Sequence, residues 1–504
     1  MQKYFLFLLL CLTQNILAQQ YWSKNYDFFT GNDYAKQLVR TPKGVVVCPH
    51  SFCDNNSREC VGLIQLDLNG NILWKTVLYD SLEINHEESI VYWRDTIWLH
   101  ADYVNDPLDR RTILAFDTNG NYAGRHDYTY LSKKGYNEAR EIDALGNKMF
   151  ITFDSRAPNA NNSLTILRAL DEHFNLLWEH TIPNVHQYAF WDNIQATPDG
   201  GVIAIEVSTQ NWKNRSSIIK YDDVGNITWK TVFPYIFGYY SENVNINTHP
   251  DGGDIGLLQA DSFVSVYADD YPTIVFKLDA SGQFEWQKVD FYQFSDLFDI
   301  FSAKNGDLII SGLIQPPPPQ DPYYAGYLRR MDVKGSTKWE RRIFDKRDYG
   351  DIQYLFDGLE LDNGDLMFTG PWFPDYPAHI PDSFPDNVWL LKVDSNGCFT
   401  PNCDTNQYIV PTQEAPARRQ DGAFAAFPNP FGHTLTLASV IGQPLPPGDY
   451  QAAVYDALGQ QVARRDIHPE LLTVFELEGL PPGAYTVVVF RDGAAVQTMT
   501  AMKQ

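Results

Sequence analysis

The sequence predicts an all-β chain: a seven-bladed β-propeller of four-stranded blades followed by a small C-terminal β-sandwich. Three observations carry the prediction. A hairpin signature recurs seven times with a period near 50 residues. A second tight-turn signature precedes it in six copies. Roughly the last 80 residues drop the period but keep the alternation of strands.

The hairpin is clearest at residues 219–233, IKYDDVGNITWKTVF, where an alternating strand leads through an Asp-x-x-Gly turn to a second strand carrying Trp seven residues after the Asp. The turn aspartates are Asp67, Asp117, Asp171, Asp222, Asp279, Asp332 and Asp394, spaced by 50, 54, 51, 57, 53 and 62 residues. Their carboxylates are expected to accept hydrogen bonds from turn N–H groups while Gly supplies positive φ, so turn chemistry alone accounts for both residues. Trp follows in five copies, as Trp74, Trp178, Trp229, Trp286 and Trp339; Gly124 replaces it in the second, and the seventh breaks off at residues 398–403.

Upstream, residues 41–44, 144–147, 198–201, 250–253, 305–307 and 363–365 each read as a tight turn between two further strands. Every repeat thus holds four strands, with short turns joining the first to the second and the third to the fourth. The seventh copy lacks its fourth strand, yet Trp22-Ser23-Lys24-Asn25-Tyr26-Asp27 resembles Trp74-Lys75-Thr76-Val77-Leu78-Tyr79. Residues 21–28 are expected to complete the last blade, closing the ring and removing an open sheet edge. The propeller is placed over residues 19–403.

Residues 1–18 read as a secretory signal peptide: one Lys, an apolar run, and a small residue at Ala18. Leu10 stands where a lipid-anchored Cys11 would need a small neighbour, and no later segment reaches the roughly 20 apolar residues of a membrane helix. An exported protein without a transmembrane segment is the expectation. The 504 residues carry a formal charge of −24, which makes nucleic acid and anionic membranes poor partners. In an oxidising compartment Cys398 and Cys403 are expected to form a disulfide, and two of Cys48, Cys53 and Cys60 could form another. No C-x-x-C spacing favours a metal, and neither metal nor cofactor is expected.

The array resembles the quinoprotein-like repeat family, through Leu66-Asp67-Leu68-Asn69-Gly70-Asn71-Ile72-Leu73-Trp74. Enzymes of that family use adjacent cysteines, which this chain lacks, so the resemblance implies fold and not chemistry. Residues 404–424 read as a linker. Beyond it, Phe427-Pro428-Asn429-Pro430, residues 454–462 (VYDALGQQV) and residues 480–487 (LPPGAYTV) resemble the type A sorting domain of type IX secretion cargo, over residues 425–504. That resemblance implies delivery by secretion machinery of the outer membrane, leaving the propeller released or attached at the cell surface.

In a propeller the tight turns emerge on one face and the longer connections on the other. The longer ones here are rich in aromatics and proline, and Trp212, Tyr267, Tyr271, Tyr323, Tyr324, Trp372, Phe373 and Tyr376 are candidate contacts for a glycan or protein ligand. Polar residues near the starts of the inner strands, His86, Glu87, Glu88, Glu138, Arg140, Asp192, Glu242, Asp296, Asp299 and Asp351, are candidates at the funnel, where carboxylates could act on a glycan or simply solvate the channel mouth. The sequence holds no Gly-x-Ser-x-Gly elbow, P-loop, zinc-protease helix or EF-hand loop. It therefore reads as an exported binding protein, with a polysaccharide hydrolase or lyase as the alternative and a self-associating surface component as a third reading.

Overall fold

The computed structural model describes residues 21–26, 33–54, 58–78, 82–83, 90–103, 110–129, 139–156, 163–183, 189–210, 213–233, 244–259, 273–290, 295–314, 324–345, 352–373, 387–400, 402–409, 412–413, 424–427, 431, 433–439, 448–467 and 473–503. All regular structure among the described residues is β. The chain divides into two compact units, Met1–Gln413 and Glu414–Gln504.

Among the described residues unit one holds seven sheets whose main strands pair antiparallel, six of them taking those strands in chain order. Sheet one runs Asp33–Thr41, Gly44–Asp54, Arg58–Leu66, Ile72–Leu78. Sheets two to six repeat the plan from Ile90–Trp93, Ala139–Leu145, Ala189–Ala196, Val244–Thr248 and Ser295–Ser302. Sheet seven comprises Asp357–Glu360, Leu366–Phe373 and Asn387–Val393, and its fourth strand is Trp22–Tyr26 from the start of the chain, antiparallel to Asn387–Val393. The first strands of the sheets contact one another in a closed cycle, from sheet one round to sheet seven and back to sheet one. Middle strands such as Leu308–Ile314 and Ala325–Met331 are buried along their whole length, as they must be when a sheet is covered on both faces.

What fastens one sheet to the next is written into the hairpin. Each turn aspartate accepts two backbone N–H groups, as Asp222 does from Val224 at 3.1 Å and Asn226 at 2.7 Å. The glycine that follows takes positive φ, for example 79° at Gly282, which leaves its Cα bare. The Trp of the preceding sheet lies on that bare face: a Cβ on Gly282 would sit 2.5 Å from the ring of Trp229. The same lock pairs Trp22 with Gly70, Trp74 with Gly120, Trp178 with Gly225, Trp286 with Gly335 and Trp339 with Gly397. The residue two beyond the Trp often reaches the turn's carbonyl as well: Thr76 Oγ1 donates to Gly120 O at 2.8 Å and Lys24 Nζ to Gly70 O at 3.2 Å. Indole N–H groups of Trp22, Trp74 and Trp286 donate to turn carbonyls, whereas those of Trp178, Trp229 and Trp339 have no acceptor among the described residues.

At the junction of sheets two and three the lock is reversed. Gly124 stands where the Trp belongs, and Phe174 stands where the turn glycine belongs, at φ 62°. Its ring stacks on His126 at 4.6 Å and meets Trp98 edge-on at 5.1 Å. The aromatic has moved from the donor sheet to the acceptor turn, and the contact is kept. Sheet two also has a tight turn without glycine that the sequence signature misses, with Arg94 at φ 53° and Asp95 at φ 57°.

Sheet seven breaks off at Asp394, whose turn is intact, and the chain then closes a disulfide between Cys398 and Cys403, as expected. Cys48 is buried in the core between sheets one and two. Part of the stretch read as linker is structured instead. Asn406–Ile409 pairs parallel with Thr337–Asp345 of sheet six, and Thr412–Gln413 pairs parallel with Trp22–Tyr26. Gln407 anchors this strap, donating to Gly397 O at 2.7 Å and accepting from Phe399 N at 3.2 Å. The reason is the open backbone edge of the two outermost strands, which a short polar segment can satisfy as well as an apolar one.

Unit two contains a three-stranded sheet, Phe424–Phe427, Thr434–Ser439 and Thr473–Glu476, and a four-stranded sheet, Gln461–Ile467, Tyr450–Tyr455, Gly483–Arg491 and Ala494–Lys503. One apolar cluster, including Leu435, Phe475, Val454 and Val487, draws on both.

Candidate functional site

An inner strand has a sheet neighbour on one side only, so its other edge offers backbone groups that need partners. Side chains from the adjoining inner strand supply them. Asp357 Oδ2 accepts from Leu38 N at 2.7 Å, Gln37 Oε1 from Ile90 N at 2.7 Å, and Asp143 Oδ2 from Ala196 N at 2.7 Å. Asn193 accepts from Ile246 N at 3.4 Å, Asn247 donates to Ile300 O at 2.9 Å, and Asp299 accepts from Gly358 N at 3.0 Å. At the remaining junction Trp93 Nε1 donates to Gly146 O at 3.1 Å. Side chains thus join the inner edges as a belt at six junctions, and a bond to the turn carbonyl of Gly146 links sheets two and three.

The belt is chemically uneven. At the junction of sheets six and seven two carboxylates share one donor: Gly358 N lies 3.0 Å from Asp299 Oδ2 and 2.7 Å from Asp357 Oδ1. Burial, and then the neighbouring charge of Asp357, hold the Asp299 carboxyl well above the ordinary carboxylate range; burial pushes Asp357 up to about 7. Asp299 is 4% exposed, while Asp357 is densely surrounded yet keeps some access to solvent. Beside them Phe298, Tyr354 and Phe356 form a ring cluster with centroids 4.7 to 5.8 Å apart, all partly exposed. The site therefore brings two acids together on the inner strands of sheets six and seven, and their chain neighbours Phe298 and Phe356, with Tyr354, present partly exposed rings.

Of the sequence candidates, Asp296 and Asp299 lie on one inner strand, Asp296 partly buried and Asp299 in the acid pair. Trp372 and Phe373 end the second strand of sheet seven opposite Gln353 and Ile352, close to Tyr354, whose N–H donates to Pro371 O at 3.2 Å. Asp296 thus shares an inner strand with Asp299, and the backbone of Trp372 and Phe373 pairs with the residues just before Tyr354. Tyr324, partly buried, precedes Ala325–Met331 of sheet six, and Asp192 lies on the inner strand of sheet four. His86, Glu87, Glu138, Trp212, Glu242, Tyr267, Tyr271, Tyr323, Asp351 and Tyr376 lie outside the described residues. The sequence reading missed Phe298, Tyr354, Phe356 and Asp357. A signal was present: Leu297-Phe298-Asp299 and Leu355-Phe356-Asp357 are the same tripeptide in successive repeats. In each, the Leu is buried, the Phe joins the ring cluster, and the Asp stitches to the next inner strand.

Sheets stepped outward in chain order, inner strands in a closed cycle, and an aromatic lock at each junction define a β-propeller. No family model matches the chain, and no curated protein sequence matches it. Among solved structures it is similar to the acylaminoacyl peptidase of Pyrococcus horikoshii, at 10% identity and TM-score 0.42, covering 81% of this chain and 57% of that one. It is similar to the β-propeller domain of the Trilobed protease of Pyrococcus furiosus, at 10% identity and TM-score 0.40, covering 71% and 100%. It is also similar to the periplasmic gluconolactonase of Pseudomonas aeruginosa, at 9% identity and TM-score 0.38, covering 73% and 98%. The chain spans a little over half the length of the peptidase, and none of these likenesses speaks to chemistry.

Proposed function

We propose that the chain is an exported recognition protein: a seven-bladed propeller that binds a glycan or protein through its long-connection face. Its C-terminal unit is a β-sandwich sorting domain that engages the secretion machinery of the outer membrane. The observation that carries the reading is the division of labour between the two faces. One face is spent on Asp turns and aromatic locks, as at Gly120 and Gly282, which leaves it committed to holding the ring. The opposite face receives the long connections, such as those between Gln259 and Thr273 and between Phe373 and Asn387, together with Asp296, Tyr324, Trp372 and Phe373. The Cys398–Cys403 disulfide fits an oxidising compartment, and the sorting role rests on the motifs of residues 425–504.

The test is a glycan and peptide array probed with the full chain and with a variant in which residues 260–272 and 374–386 are replaced by short Gly-containing turns. Selective binding that the exchange removes, at unchanged thermal stability, supports the reading. Binding that survives the exchange at full strength overturns it.

A further inference from the structure

We propose that the junction of sheets six and seven is a binding site for an organic cation, an alkylammonium or guanidinium group carried on an apolar stem. The inference rests on the recognition role proposed above and names a ligand chemistry for it.

The first ground is uncompensated charge. Asp299 and Asp357 accept from the same N–H, so their nearer oxygens are separated by no more than the two bond lengths, 3.0 and 2.7 Å, laid end to end. No Lys, Arg or His among the described residues forms an ion pair with either, whereas Arg330 pairs with Asp307 at 2.8 Å and Lys277 with Asp251 at 2.8 Å; the buried Asp143 and Asp254 also lack an ion pair, but each stands apart from a second such carboxyl. Two adjacent carboxylates without a cation are costly to ionise, and a cationic ligand removes that cost.

The second ground is independent of the acids. Directly across the strand pair from Asp299 lies a fully buried hydroxyl with no hydrogen-bond partner among the described residues, that of Ser311. Residues directly opposite in an antiparallel pair project from the same face, so this hydroxyl is directed to the side of sheet six that Asp299 occupies, the side on which Ile309 packs against sheet seven. Buried hydroxyls in folded proteins are normally satisfied, and this one marks polar capacity left over beside the acids.

The third ground is the wall. Phe298, Tyr354 and Phe356 hold partly exposed rings within 4.7 to 5.8 Å of one another; Phe298 and Phe356 are the chain neighbours of Asp299 and Asp357, and Asp357 keeps some access to solvent. Aromatic faces attract ammonium and guanidinium groups and accept their methylene stems. The formal charge of −24 gives the whole chain a field that draws cations. A sugar could stack on the rings and donate hydroxyls to the acids but would bring no charge to offset theirs; an organic cation uses the rings and offsets the charge.

The same chemistry arises from a free polyamine or from a Lys or Arg side chain of a peptide. Titration calorimetry of the full chain with spermidine, with a Lys- and Arg-containing tripeptide, and with a neutral gluco-oligosaccharide separates these. Saturable binding of spermidine alone assigns a free polyamine, and of the tripeptide alone a protein side chain; either supports the site. Asp357→Asn should weaken binding at least tenfold. Because Asp357 also holds Leu38, Phe298→Leu and Phe356→Leu provide a second arm, keeping apolar volume while removing the rings, and should weaken binding several-fold. The exchange of residues 260–272 and 374–386 should leave cation binding intact, so failure of the face reading is distinguishable from failure of the site. Absence of saturable binding with both cations, or affinities unchanged in all three substitutions, overturns the proposal.

Discussion

Replacing Gly282 with Ala should destabilise the propeller far more than the same replacement at Gly252. Both glycines end tight turns in the fifth sheet with left-handed backbone, φ 79° and 91°. An L side chain in that region costs about 1–2 kcal/mol at either position. Nothing lies within 4 Å of a Cβ placed on Gly252, whereas a Cβ on Gly282 would stand 2.5 Å from two ring atoms of Trp229. The added methyl group can be accommodated only if the indole leaves its seat, and loss of this partly buried Trp contact is worth about 2–3 kcal/mol. We therefore expect Gly282→Ala to cost about 4 kcal/mol and Gly252→Ala about 1 kcal/mol. Urea denaturation of the full chain measures both, and a third variant isolates the contact. In a Trp229→Ala background, Gly282→Ala should cost no more than Gly252→Ala. Equal costs for the two glycines in the native background would refute the idea that the indole on the turn is what fastens the sheets.

Three further expectations concern the reversed lock, the disulfide and the buried acids. Phe174→Ala should destabilise by about 2–3 kcal/mol in a urea titration, because the ring on His126 and Trp98 is the lock at its junction; a neutral result would show that this junction holds without it. Cys398→Ser together with Cys403→Ser should cost about 2 kcal/mol for so short a loop and raise hydrogen exchange in Trp22–Tyr26, since the strap launched from this loop pairs with that strand. Stability should fall as pH rises from about 4 to about 7. Burial pushes Asp143 up to about 6 and Asp254 and Asp357 up to about 7, so in that window the folded chain holds more protons than the unfolded one, and stability complete at low pH is lost through the folded values. Asp251 acts in the opposite sense at lower pH: burial is outweighed by hydrogen bonds from Lys277, Gly253 and His249, which hold it down to about 2, so its contribution is lost as pH falls from about 4 toward 2. Asp143→Asn should flatten the upper limb, and an unchanged slope would remove Asp143 from this explanation.

The sequence made the repeat legible because turn chemistry is local. An Asp that must accept two N–H groups and a Gly that must take positive φ leave few substitutes, so each hairpin declares itself within a dozen residues. The role of Trp22–Tyr26 was legible for a related reason: a strand that fills the same place must present the same Trp to the same glycine. What the sequence obscured depends on neighbours far along the chain. Phe174 looks like a failed turn until Gly124, in the preceding sheet, is seen to have lost its Trp. The strap of Asn406–Ile409 and Thr412–Gln413 has little alternation to read, because its contribution is backbone pairing. At the candidate site, Asp296 was found from its place at the head of an inner strand, but Phe298, Tyr354 and Phe356 pass for core residues in one dimension. Only the repeated Leu-Phe-Asp tripeptide hints that two successive inner strands build one feature.

The account rests on one face holding the ring while the other is free to recognise. The most direct measurement is the array experiment with the full chain and the variant lacking the native residues 260–272 and 374–386. The account predicts a selective ligand that binds the native chain, fails to bind the variant, and leaves the unfolding temperature of the two within a few degrees of each other. A ligand retained at full strength by the variant would contradict it.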